Sequence, residues 1–86
     1  MGKIILLHIQ FQEKNVERVN VESSLIKSIG YQEETSVLEV EFNNGSVYLY
    51  AGVPEDIYDQ ILEADSAGKA FNNLVKTNGA YPYQRV

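Results

Sequence analysis

The sequence predicts an α+β fold: an antiparallel β-meander with two short helices after a central hairpin, and an extra N-terminal strand. Three observations predict it. Leu38, Val40 and Phe42 alternate with Glu39 and Glu41, the period of a strand with one buried face. Asn43, Asn44 and Gly45 then turn the chain into Val47-Tyr48-Leu49-Tyr50, and Gly at that place supplies the positive φ a tight hairpin needs. Beyond the hairpin the apolar spacing changes to that of helices, with Ile57, Tyr58, Ile61 and Leu62 in one set and Phe71, Leu74 and Val75 in the next.

From the N-terminus, Ile5, Leu7, Ile9 and Phe11 fall on one side of an extended Lys3–Gln12, with Ile4, Leu6, His8 and Gln10 on the other. Both sides are apolar at first, so this strand is expected to pack between the sheet and a cover, or to pair with a second copy. Gln12 to Asn20 is polar and reads as a connection or an irregular short helix. From Leu25, the sets Leu25, Lys27, Ile29, Tyr31 and Ile26, Ser28, Gly30 suggest another strand, with Gly30 at a bulge or a close backbone approach. Gln32 to Ser36 is a polar turn.

The hairpin register decides where the tyrosines point. A two- or four-residue loop sets Glu41 opposite Tyr48, whereas a three-residue loop with Gly45 as a bulge sets Val40 opposite Tyr48. The three-residue loop is preferred, which puts Tyr48 and Tyr50 on the face of Leu38, Val40 and Phe42. Val37, Glu39, Glu41, Val47 and Leu49 form the other face, which needs a cover from the Ile5–Phe11 strand or a second subunit. Val53-Pro54-Glu55-Asp56 opens the first helix, since proline suits the first turn and carboxylates complement the dipole. Asp65 or Ser66 opens the second, Asn78-Gly79 ends it, and Tyr81 to Val86 is an extended tail suited to adding an edge strand or to docking on the sheet.

The chain of 86 residues is expected to be a single domain, of a size that buries roughly 60–65% of its unfolded surface. The absence of cysteine excludes disulfides, thiolate metal sites and thiol catalysis. The apolar run Ile4–Ile9 is far shorter than the roughly 20 residues that span a bilayer, and lacks signal-peptide flanks, so no membrane association and a cytoplasmic location are expected. A net charge of −5 repels nucleic-acid backbones at long range. His8 is the sole histidine and neither a Ser/His/Asp spacing nor a ligand cluster appears, so a non-enzyme without metal or cofactor is expected. Glu39 and Glu41 share a strand face, as carboxylates that simply face water usually do.

Six tyrosines dominate the aromatic set. Tyr31, Tyr48 and Tyr58 are assigned to the core; Tyr50, Tyr81 and Tyr83 are candidates for stacking on bases. Ser66-Ala67-Gly68-Lys69, at a helix start, offers N–H groups, a hydroxyl and an ammonium to an anion, although plain capping is the commoner use of such a sequence. Asn72, Lys76 and Arg85 complete the candidate ligand set. Ile5, Leu7, Ile9, Phe11, Val47 and Leu49 form a candidate interface.

Taken together, Val21-x-Ser23-Ser24-x-Ile26, Ile29-Gly30-Tyr31, Leu38-x-Val40-x-Phe42, Gly45-x-x-Tyr48-x-Tyr50, Val53-Pro54 and Tyr58 resemble the KTSC domain. Ala64-x-Ser66-x-Gly68, Phe71-Asn72 and Tyr81-x-Tyr83-x-Arg85 extend the likeness over residues 21–86, leaving residues 1–20 as an N-terminal extension. The resemblance implies kinship with a segment at the carboxyl end of some lysyl-tRNA synthetases, a Tyr-x-Tyr motif matched by Tyr48 and Tyr50, and RNA binding as a suggested role. Where relatives carry an arginine-bearing segment, this chain has Asn73 to Asn78. The expected function is therefore non-catalytic binding of RNA or a small nucleotide. The alternative is a homo-oligomeric or protein-interaction module using the N-terminal strand and the outer sheet face.

Overall fold

A computed structural model describes residues 17–86. The expected strand Lys3–Gln12, and with it Ile5, Leu7, His8, Ile9 and Phe11, lies outside the described residues. Five antiparallel strands follow one another across a single sheet in chain order: β1 (Val19–Asn20), β2 (Ile26–Gln32), β3 (Val37–Phe42), β4 (Val47–Tyr50) and β5 (Tyr83–Arg85). Between β4 and β5 run α1 (Glu55–Glu63), α2 (Ala67–Phe71) and a wide π-helical turn (Asn72–Lys76). The predicted α+β meander with helices after the hairpin is the architecture found.

The three-residue hairpin is also found. Val40 pairs with Tyr48 and Leu38 with Tyr50, while Gly45 takes φ 93° and its N–H donates to Phe42 O at 2.9 Å. Period-two alternation therefore sends Leu38, Val40 and Tyr50 into the core and leaves Glu39, Glu41, Val47 and Leu49 half-buried on the outer face.

In β2 the expected phase is wrong. Ile26 pairs with Phe42 and Ser28 with Glu41, so Lys27 is an extra residue and the bulge sits there rather than at Gly30. One inserted residue flips the alternation, and Ile26 and Ile29 both become fully buried despite opposite parity. The stretch ending at Asn20 also differs from a plain connection: Val19 and Asn20 pair with Ile29 and Ser28 as β1. Arg18, just before it, reaches Glu39 at 3.1 Å and Glu41 at 3.9 Å, and Ser28 Oγ donates to Glu41 at 2.9 Å. The two carboxylates are thus paired on the outer face, not simply solvated.

Helix α1 starts at Pro54, whose φ of −66° is preset for the first turn, with Glu55 and Asp56 at the positive end of the helix dipole. Ile61 is buried and Ile57 and Tyr58 half-buried, but Leu62, expected in the same stripe, turns out to solvent. Ser66 caps α2, its Oγ accepting from Lys69 N–H at 3.2 Å. The core lies between the inner sheet face and these helices: Ile26, Ile29, Leu38, Val40, Val53, Ile61, Phe71 and Val75 are all essentially sealed from water. The tail docks on β4 as expected, with Tyr50 opposite Tyr83 and Tyr48 opposite Arg85.

Candidate functional site

Two groups of tyrosines have formed at opposite ends of the inner face. Tyr31 and Tyr58 stack at 5.4 Å between ring centroids, and Tyr31 Oη donates to Val53 O at 2.6 Å. Burial pushes the Tyr58 phenol above its ordinary pKa, with Asp59 adding to the shift. This pair closes the join between β2 and the start of α1, the structural role expected for both residues.

The other group belongs to β4 and β5. Tyr48, Tyr50 and Tyr83 form a triangle with centroid separations of 6.4, 5.7 and 5.5 Å, and Phe42 and Phe71 meet its rings edge-on. The pairing of β4 with β5 places Tyr48, Tyr50, Tyr83 and Arg85 on one face, because residues two apart in a strand share a side. Tyr50 is the buried member. Its pKa is raised chiefly by burial, then by the neighbouring phenols of Tyr83 and Tyr48. Tyr83 is the open member, 65% exposed.

Above this floor lies a cleft of about 780 Å³. Its walls are the hairpin loop (Asn43, Asn44, Ser46), Ser24 and Leu25 before β2, and Lys76, Gly79 and Tyr81 from the end of the π turn and the loop leading to β5. Asn44 Oδ1 accepts from both the N–H and the Oγ of Ser46, at 2.9 and 2.7 Å. That fixes its amide with the NH2 group as the part left to donate. Asn43 Nδ2 donates to Ser23 O at 3.0 Å, leaving its Oδ1 to accept. Lys76 is the one charged side chain among the described residues that line the cleft. The surface is therefore aromatic below, amide-rich on one side and cationic on the other.

The structure brings together Tyr50, Lys76, Tyr81 and Tyr83 from the predicted ligand set, with Arg85 on the same sheet face. It does not bring Ser66, Gly68, Lys69 or Asn72 to the cleft lining. Ser66 spends its hydroxyl on the cap, and Asn72 O accepts from Thr77 N–H at 2.7 Å in the π turn. Gly68 answers a packing demand, since a Cβ there would stand 2.8 Å from Ser23 Oγ. Of the predicted interface, Val47 and Leu49 sit half-buried on the outer face, as cross-strand partners of Glu41 and Glu39. Sequence reasoning missed Tyr48, Asn43, Asn44, Ser24 and Ser46. Tyr48 shares the parity of Tyr50 but lies farther from the helices, and the loop asparagines carried only a turn signal.

A family model for the KTSC domain matches residues 22–81. The chain belongs to the KTSC domain family. Its relatives include a protein of Stutzerimonas stutzeri, 42% identical over 71 residues that span 83% of this chain and 99% of that one. A lysine–tRNA ligase of Nostoc punctiforme is 35% identical over 65 residues, 76% of this chain but only 11% of the ligase. The crystal structure of a KTSC domain protein from Yersinia pestis superposes with a TM-score of 0.75 at 35% identity, covering 83% of this chain and 97% of that one. In this KTSC domain Ser23 has a plain structural use, while Ser24 lines the cleft. Ser23 Oγ accepts from the N–H groups of Leu25 and Ile26 at 3.0 and 3.2 Å, bending the chain into β2 directly beneath Gly68. Among the described residues, no cluster of side chains has a metal-binding composition and no helix is long and apolar enough to cross a membrane.

Proposed function

We propose that this KTSC domain is a non-catalytic module that binds a nucleotide-bearing ligand in the tyrosine cleft, an unpaired RNA segment first and a small nucleotide second. The observation that carries the reading is the pairing of an open ring, Tyr83, on an aromatic floor with a local positive charge, Lys76, in a chain of net charge −5. Stacking is indifferent to the protein's overall charge and contributes about 1–3 kcal/mol per base. Kinship with a segment of lysine–tRNA ligases, enzymes named for tRNA, supports RNA over other anionic aromatics. The alternative, a partner surface built on the N-terminal strand and the outer sheet face with Val47 and Leu49, is less favoured because Arg18 already pairs with Glu39 and Glu41, the cross-strand partners of Leu49 and Val47.

Titration calorimetry at low salt with single-stranded oligonucleotides and with mononucleotides tests the proposal. Heat of binding is expected for the oligonucleotides, diminished in Lys76→Ala. No heat beyond dilution with any of them would sink it.

A further inference from the structure

The outer edge of β5 suits a second copy of itself. Val86 N–H donates to Val47 O and Ala51 N–H to Pro82 O, both at 2.9 Å, so the even-numbered residues of the tail address β4. By the alternation of an antiparallel ladder, the N–H and C=O groups of Tyr83 and Arg85 then point away from the sheet. Among the described residues no strand lies beyond them, and all three residues of β5 are exposed.

We propose that β5 pairs antiparallel with β5 of a second copy, about a two-fold axis at Gln84. In that register Tyr83 of each chain is the hydrogen-bonded partner of Arg85 of the other, and all four outward groups of both residues are used. Centring the axis on Arg85 would set two guanidinium groups face to face. Centring it on Tyr83 would carry Arg85 past the end of β5, opposite Tyr81. The Gln84 axis alone sets guanidinium against phenol ring, a favourable cation–aromatic contact, on the face that bears the cleft. Each cleft then gains a second copy's Arg85 beside its own Tyr83. A seam of three residues is small, so the dimer forms reversibly and only at high concentration. This pairing does not depend on nucleotide binding.

The chain has no cysteine, so Gln84→Cys in the full chain carries a single thiol. The two-fold places these positions about 4.5 Å apart between Cα atoms, within reach of a disulfide. Under mild oxidation it is expected to cross-link at least about tenfold faster than Lys27→Cys, an exposed position three strands away, because pairing raises the effective thiol concentration. In sedimentation equilibrium the unmodified chain should gain mass with concentration. Arg85→Pro, which deletes an outward N–H but no bond to β4, should stay monomeric, as should Arg85→Glu, which keeps the backbone and removes the guanidinium. Equal cross-linking rates, a constant monomer mass, or a dimer that survives both Arg85 variants would overturn the proposal.

Discussion

The two tyrosine groups of the inner face are made of the same side chain and end in opposite states. At the α1 end, Tyr31 and Tyr58 lie parallel and Tyr31 spends its hydroxyl on Val53 O, so the pair is a closed internal contact. At the β5 end, Tyr48 and Tyr83 meet at 50°, and one of the two rings is largely exposed beside amides and a lysine. The first group holds two tyrosines, one of them on α1, and the second holds three, all on strands. The difference comes from the cover over each: α1 supplies one ring of the first pair itself, whereas α2 and the π turn end at Phe71 and Lys76 and leave Tyr83 of the second open.

Removing the support beneath the open group should produce the largest effect. Phe71 is fully buried, with edge contacts to Phe42 and Tyr50. Phe71→Ala is expected to cost about 3–5 kcal/mol in urea unfolding and to collapse the cleft floor. Exchanging single rings should separate the two groups. Tyr31→Phe leaves Val53 O without its phenol donor and should cost about 1–2 kcal/mol in stability with nucleotide affinity unchanged. Tyr83→Ala should do the reverse, lowering affinity by about 1–3 kcal/mol in calorimetry while the unfolding midpoint barely moves. If Tyr31→Phe weakened binding as much as Tyr83→Ala, the contrast between closed and open pairs would be lost.

Alkaline pH gives the smallest and finest test. Tyr50 and Tyr58 both have pKa values raised above the ordinary 10.0. The folded chain therefore holds these protons more tightly than the unfolded chain, and stability falls as pH rises from about 10 through the folded values. Below that window the contribution is constant. Phenolate absorbance should lose a late-titrating component in Tyr50→Phe and again in Tyr58→Phe.

Most of the fold could be read from local signals. Asn44-Gly45 and the alternation around it determined the register of β3 with β4, and with it the side on which Tyr48 and Tyr50 lie. The tail's role as an edge strand followed from its extended composition. The phase of β2 was not legible, because a bulge at Lys27 leaves no mark in composition and Gly30 offered a more conspicuous place for it. The cleft was legible only in part. Gly68 looked like an anion-binding glycine and serves a close approach to Ser23, a distinction that depends on the residue packed opposite, not on neighbours in sequence. Asn43 and Asn44 looked like turn residues, and are, but the turn they make also walls the cleft.

The lack of any carboxylate among the described cleft residues, in a chain carrying 12 acidic side chains, makes the molecule electrically lopsided. The proposed RNA ligand would meet repulsion from most directions and attraction at the cleft, so the field would orient the encounter without favouring it on average. Added salt relaxes the repulsion along with the attraction, and the association rate should respond to ionic strength far less than that of a basic protein.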